Sequence, residues 1–131
     1  MDFASVRIIT DNVDSMVEFY ENVTGVTADW LAPVFAELHY PSCTLALGHT
    51  STAALFNNAA RPAHNQTAII EWVVEDVDAE YERLKPIISE SEQEPTLMPW
   101  GNRSILFRDP DGNLVNLFTP ATDDAIKRFE R

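Results

Sequence analysis

The sequence has little cysteine, few basic residues and no long apolar run. Its single cysteine, Cys43, excludes an internal disulfide framework and is typical of a protein of the reducing cytoplasm. No apolar segment approaches the roughly 20 residues that cross a bilayer. The N-terminal residues also lack a basic stretch followed by an apolar one, so we expect a cytoplasmic protein without a secretory signal or membrane segment.

The basic residues are outnumbered by acids. Nine lysines and arginines stand against 21 acids, which gives a formal net charge of −12. Nucleic-acid binding depends on cationic side chains that neutralise phosphates, so we expect no nucleic-acid partner. An acidic surface increases solubility and also attracts cationic ligands.

The chain repeats one pattern. Residues 8–20 and 72–84 each contain an apolar stretch, an acid and then apolar residues at helical spacing. Residues 35–47 align in the same way with 104–116. This order predicts a duplicated strand–helix–strand–strand–strand unit and therefore an α+β fold. We expect one domain over residues 1–131, with modules at about 1–60 and 61–122 and a tail helix at 123–131.

The segment boundaries carry familiar signals. Gly25 is predicted to end the first helix, Pro86 to limit the second, and Thr122 or Asp123 to cap the tail helix. Residues 49–67 are rich in Ala, Asn and Thr and predict a loop. The acids of the turn Asp-Pro-Asp-Gly-Asn, residues 109–113, are predicted to accept hydrogen bonds from backbone amides.

Three segments carry a resemblance to a known family: VEDVDA (74–79), Phe19-Tyr20 and PWGNRSILFRDPDGNLVNLFTP (99–120). They resemble the glyoxalase/bleomycin-resistance/dioxygenase superfamily, the vicinal-oxygen-chelate fold, over nearly the whole chain. The resemblance implies two tandem βαβββ modules with curled mixed sheets that form a cleft. It also implies a homodimer, because relatives of this length usually complete their clefts with a second chain.

The metal enzymes of that family take His or Gln from the first strand of each module and Glu from each last strand. By position, these places fall on Ser5, Leu47, Ile69 and Asn116. A divalent cation prefers imidazole, thiolate or carboxylate ligands, and these four side chains offer none of them. The resemblance therefore predicts no standard metal site, no cofactor and no catalytic residue in this chain.

Strand alternation suggests which side chains face the cleft. It places Arg7 and Glu71 at matching positions, as a salt bridge or as polar anchors for a ligand. The same parity turns further side chains inward: Phe35, Glu37, His39, His49, Leu106 and Arg108. The opposite parity predicts contact with the helices for Val6, Ile8, Trp72, Ile105, Phe107, Val115 and Leu117.

Aromatic side chains near the cleft mouth suit stacking on a planar or hydrophobic ligand. Trp30 follows the first helix, and Trp100 lies on a loop beside Arg103. Trp100 could instead fill the cleft or pack at a dimer interface. The predicted ligand-binding residues are Arg7, Trp30, Glu37, His39, Glu71, Trp100, Arg103 and Asn116.

Three hypotheses about function follow. The first is a metal-free protein that binds a cationic or aromatic small molecule, as the bleomycin-resistance members of the family do. The second is a metal-dependent lyase, isomerase or dioxygenase with a displaced site, formed by Glu37, His39, His49 and Glu71. The third is a dimerisation or regulatory domain whose cleft is filled by its own side chains, Leu47, Ile69 and Leu106.

Overall fold

A computed structural model describes residues 1–130 and divides them into two compact units. The first unit is Met1–Asn65, and the second starts at Gln66. Each unit contains a strand, a helix and three further strands, which form a mixed four-stranded sheet. The predicted α+β fold of two βαβββ modules is therefore confirmed, while the single-domain organisation stays a prediction.

The first unit is built around helix α1, Val13–Thr24. Apolar residues at helical spacing are buried along one side of it: Val13, Met16, Val17, Phe19, Tyr20 and Val23. Gly25 ends the helix in the left-handed conformation, with φ 74°, and its N–H donates to the Glu21 carbonyl at 2.8 Å. The predicted helix end is therefore confirmed.

The sheet of the first unit has the strand order β1-β4-β3-β2. Strands β1 and β4 are parallel, and the remaining neighbours are antiparallel. The strands are β1 Ser5–Thr10, β2 Asp29–Ala32, β3 Phe35–His39 and β4 Thr44–His49.

The second unit repeats this arrangement with the order β5-β8-β7-β6. Its elements are β5 Ile69–Val73, α2 Val77–Leu84, β6 Ser91–Leu97, β7 Asn102–Arg108 and β8 Leu114–Pro120, followed by α3 Asp123–Phe129. Asp76 caps α2 by accepting from the Ala79 N–H at 3.1 Å. Thr122 caps α3 by accepting from the Ala125 N–H at 3.2 Å, which confirms one of its two predicted caps.

Helices α1 and α2 each lie against one face of their sheets, and that face carries apolar side chains. In the first sheet, Ala36, Leu38, Leu45 and Leu47 are buried. In the second, the predicted helix-facing residues Ile105, Phe107, Val115 and Leu117 are buried. Val6 is an exception. It lies near the start of β1, at the end of the sheet, and remains 41% exposed.

The turn 109–113 confirms its predicted hydrogen bonding. The buried Asp109 carboxylate accepts from the backbone N–H groups of Asp111 and Asn113, both at 2.9 Å, and from Asn113 Nδ2 at 2.8 Å. Gly112 has a positive φ of 86°. The turn therefore fixes how β7 leads into β8, where Asn116 lies.

The segment 49–67 is not entirely a loop, contrary to the sequence-based expectation. Residues Thr50–Phe56 form a 3₁₀ helix that His49 caps, since its side chain accepts from the Ser51 N–H at 3.0 Å. Short helices of this kind give a weak sequence signal because no long apolar stripe is needed to stabilise them. Within residues 1–130, no helix is long and apolar enough to span a membrane.

Candidate functional site

Polar side chains lie on the sheet face opposite α1 in the first unit and opposite α2 in the second. We call this face of each sheet the open face. In the second unit, the parallel pairing of β5 with β8 places Glu71 directly beside Asn116. Directly paired residues point to the same side of a sheet. The predicted cleft-facing pair of this module is therefore adjacent.

The Asn116 side chain is held in one orientation by Glu71. Its Nδ2 donates to Glu71 Oε2 at 2.6 Å, which is a charge-assisted hydrogen bond. A flipped amide would place two oxygens against each other, so the assignment of Nδ2 and Oδ1 follows from the carboxylate. Asn116 is only 9% exposed, and its Oδ1 has no hydrogen-bond partner among the described residues.

The tail helix α3 packs against the same open face. The Phe118 and Phe129 rings have centroids 5.0 Å apart, and Phe118 follows Asn116 by two residues on β8. The Arg128 side chain also donates to the Trp100 carbonyl at 2.9 Å. Helix α3 therefore covers one end of the open face and helps to exclude water there.

In the first unit, the open face carries Arg7 between two aromatic rings. Its guanidinium carbon lies 4.8 Å from the Phe35 ring centroid and 5.3 Å from that of Phe56. Both distances are within the range of cation–π attraction. Arg7 therefore has a restrained side chain, although it is exposed.

Glu37 and His39 share that open face with Arg7. The register pairs Arg7 with Ala46 and Ala46 with Glu37. His39 Nε2 lies 3.8 Å from a carboxylate oxygen of Glu37 and also 3.8 Å from one of Asp29. Its Nδ1 lies 3.1 Å from Thr44 Oγ1. All the side chains of this group are at least partly exposed, so their mutual attraction is weak.

Two predicted cleft-facing residues lie on the opposite face. Glu37 pairs with Ala46, so Leu47 and His49 on β4 point toward the helix side. The counterpart of Asn116 is therefore Ala46, and the predictions for Leu47 and His49 are wrong. The cause is a one-residue slip, since the turn before β8 spans five residues, 109–113, and the turn before β4 spans four, 40–43.

Two other predicted ligand-binding residues, Trp30 and Arg103, lie on the helix side of their sheets, and a third, Trp100, lies on a loop. Trp30 pairs with the buried Ala36, which places it on the helix side of the first sheet. Arg103 points toward α2, where its Nε donates to Asp78 Oδ2 at 2.8 Å and its Nη2 to Oδ1 at 2.9 Å. Trp100 lies on the turn before β7 and is 59% exposed.

The Arg103–Asp78 pair has an electrostatic signature. The hydrogen bond from Arg103 lowers the pKa of Asp78 below its ordinary value, and the same contact raises the pKa of Arg103. Arg103 therefore has a structural partner at the start of α2, away from the Asn116 side of the sheet.

The comparisons with known proteins agree with this fold. The sequence profile of the Glyoxalase/Bleomycin resistance protein/Dioxygenase superfamily matches residues 2–117. The chain belongs to this superfamily. A glyoxalase/bleomycin resistance protein/dioxygenase from Nocardioides is 25% identical, with a TM-score of 0.76, over 94% of this chain and 85% of the other.

Two further proteins are similar to this chain over almost their full length. A glyoxalase/bleomycin resistance protein/dioxygenase family enzyme from Burkholderia phytofirmans PsJN has a TM-score of 0.81 at 16% identity, over 92% of this chain and 99% of the other. The uncharacterized protein YraH of Bacillus subtilis (strain 168) is 24% identical over 90% of this chain and 98% of its own length. These likenesses support the fold and leave the ligand open.

The metal positions implied by the superfamily do not fit a divalent cation. With the register corrected, the four places hold Ser5, Ala46, Ile69 and Asn116. Only Ser5 and Asn116 carry an oxygen, and both are neutral. Residues 1–130 contain no group of three His, Cys, Asp or Glu side chains arranged to hold a metal ion.

Only part of the alternative, displaced metal site is brought together within one unit. Glu37 and His39 lie together in the first unit, but His49 lies on the other face of that sheet. Glu71 belongs to the second unit, where one of its oxygens accepts from Asn116.

Sequence reasoning missed Phe56, Ala46 and Gln93. Phe56 lies in the segment that was interpreted as a loop. Ala46 was missed because the two turns differ in length, which shifted the alignment onto Leu47. Gln93 lies on the edge strand β6, whose sequence SEQEPTL contains Pro95 and charged residues that argue against a strand. Only the pairing of Gln93 with Leu106 reveals that it shares the open face with Asn116.

Proposed function

We propose that this protein is a metal-free member of its superfamily that binds a cationic or aromatic small molecule on the open faces of its sheets. The observation that carries the proposal is Asn116. Asn116 lies where metal enzymes of the family have a carboxylate. It is hydrogen-bonded to Glu71, the neighbouring acid that could otherwise have supplied a carboxylate ligand.

Electrostatics support a cationic ligand. The chain has a formal net charge of −12, and Glu71 is an exposed carboxylate on an open face. Such a field attracts cations over about a Debye length, roughly 8 Å at physiological ionic strength.

The aromatic part of the proposal rests on the first unit. Phe56 is 51% exposed beside Arg7, and Phe35 is half-buried on its other side. An exposed ring next to a restrained guanidinium offers a planar ligand both stacking area and a hydrogen-bond donor. Arg7, Glu37, His39, Glu71 and Asn116 remain the proposed ligand-binding residues.

The experiment has two parts. Tag-free protein is incubated with Zn, Ni, Mn and Fe(II), desalted and analysed for metal content, and calorimetry then tests a panel of organic cations and aromatic compounds. We expect negligible metal retention and binding of at least one panel member. Near-stoichiometric retention of one metal that is lost in Glu71→Gln would overturn the proposal. Glu75→Gln, an exposed acid of the same unit, is the matched control.

We also propose a homodimer. Several apolar side chains are exposed on or beside the edge strand β2, namely Trp30, Leu31 and Val34. Exposed apolar groups at a sheet edge favour association with another chain. Sedimentation velocity is expected to give twice the mass of the chain, and a monomer at micromolar concentration would contradict this.

A further inference from the structure

Four side chains form one row across the open face of the second sheet. Glu71 pairs with Asn116, Asn116 with Leu106, and Leu106 with Gln93. Because paired residues point to the same side, this order brings three oxygen-bearing side chains and one leucine together. We call this set the acceptor row.

The acceptor row contains two buried oxygens without partners. Asn116 Oδ1 and Gln93 Oε1 are both buried and have no hydrogen-bond partner among the described residues. Buried acceptors are usually satisfied, and each exception calls for a cause. For Asn116 the cause is visible, since Glu71 occupies Nδ2 and turns Oδ1 away.

The cation Arg108, which lies on this face, already has partners. Arg108 lies two residues after Leu106 on β7 and therefore points to the same side of the sheet. Its Nε lies 3.3 Å from Glu92 Oε1, and its Nη1 donates to the Gly112 carbonyl at 3.1 Å. Because Arg108 is bound to these other groups, it does not neutralise Glu71, and the negative charge of Glu71 remains available to a ligand.

We infer that the acceptor row binds a linear organic cation with primary ammonium groups at both ends, a diamine or polyamine. The inference rests on the proposed function and names its ligand class. One ammonium would donate to Glu71 and Asn116 Oδ1, the other to Gln93 Oε1, and the methylene chain would lie on Leu106. Two strand spacings separate Asn116 from Gln93, about 10 Å between Cα atoms.

The chemistry of the acceptors decides between kinds of cation. A quaternary ammonium carries the same charge but has no N–H to donate, so it cannot satisfy either free oxygen. A diamine has several donors and an apolar chain. The ligand must therefore be recognised by its N–H groups and its length as well as by its charge.

The test compares matched ligands by calorimetry at physiological salt. Diamines from 1,3-diaminopropane to 1,6-diaminohexane are titrated beside their bis(trimethylammonium) counterparts. We expect an optimum chain length and binding at least about 10-fold tighter for the best diamine than for its quaternary counterpart, a gap that one lost hydrogen bond to a buried group can produce. Equal affinity of the two series, or affinity independent of length, would overturn the inference.

Variants locate the site. Gln93→Leu removes the second acceptor with little change of volume and is expected to weaken the best diamine about 10-fold while leaving n-butylamine unchanged. Gln66→Leu is the same substitution at an exposed position and is expected to change neither. An equal effect of both variants, or none of Gln93→Leu, would contradict the inference.

The outcomes separate this inference from the proposed function. If no diamine binds but another cation or aromatic compound does, the acceptor row is wrong and the proposed function stands. If calcium competes with the diamine at equal concentration, the free oxygens form a metal site and both proposals fail. Because Gln93→Leu removes a buried unsatisfied acceptor and its desolvation cost, its urea stability should equal or exceed that of the wild type.

Discussion

The Glu71 carboxylate determines which atom of Asn116 is left without a hydrogen-bond partner among the described residues. An asparagine at this place, read from sequence, offers either a donor or an acceptor. The hydrogen bond at 2.6 Å selects the acceptor. Strand parity predicted that Asn116 and Glu71 face one side, but the amide orientation depends on a register that joins two distant segments. That part of the site could not come from local sequence.

Arg103 gives a residue-scale prediction. Removing its guanidinium in Arg103→Gln should raise the pKa of Asp78 toward its ordinary value, because the bond that lowers it is lost. The depressed pKa means that the pair stabilises the fold above the ordinary Asp pKa, and that this contribution disappears as the pH falls through the lowered value. Carbon-13 NMR titration of the Asp78 carboxyl measures the shift.

The control for this prediction is Arg108→Gln, which breaks an ion pair with Glu92 and should leave Asp78 unchanged. Diamine affinity should be the same in Arg103→Gln and in the wild type, because Arg103 points toward α2. If Arg103→Gln instead weakened diamine binding and left the titration of Asp78 unchanged, Arg103 would have to be counted among the ligand-binding residues.

At the scale of elements, most of the fold could be predicted from sequence. Helices α1 and α2 and the last strand of each module have strong apolar patterns and clear end signals. The turn 109–113 has one residue more than the turn 40–43, so the sequence alignment of β4 with β8 was wrong by one residue. The apolar patterns of the flanking strands do not reveal such an insertion. The edge strand β6 was expected from the βαβββ pattern but was not placed in the sequence, because its polar residues give no apolar alternation.

Gly101 gives the prediction for the junction of β7 with α3. It has a φ of 94°, its carbonyl accepts from the Ala121 and Thr122 N–H groups, and a Cβ there would collide with Thr122 Oγ1. We expect Gly101→Ala to lower the free energy of unfolding by about 3 kcal/mol, from backbone strain and the collision together. Urea denaturation measures the change.

Gly112→Ala separates the two causes. Its φ is 86°, but a Cβ at Gly112 meets no atom within 4 Å. Strain alone should then cost about 1 kcal/mol. Equal losses in the two variants would show that α3 does not pack tightly on Gly101.

At the scale of the whole molecule, two electrostatic effects oppose each other. The net charge of −12 is self-repelling. Surface ion pairs of the described residues attract, among them Arg83–Glu80, Lys85–Glu82, Arg103–Asp78 and Arg108–Glu92. Exposed pairs of this kind attract only weakly, and salt weakens both effects.

We expect the repulsion to dominate, since 21 acids share the surface with only nine lysines and arginines. Raising NaCl from about 20 mM to about 200 mM at neutral pH should then increase the free energy of unfolding by on the order of 1 kcal/mol. Urea denaturation at each concentration measures it. The variant Glu75→Gln/Glu90→Gln, which removes two exposed acids outside the ion pairs named above, should show a smaller increase. A decrease with salt would mean instead that the ion pairs outweigh the net charge, and the attraction of a cationic ligand would then be local to Glu71.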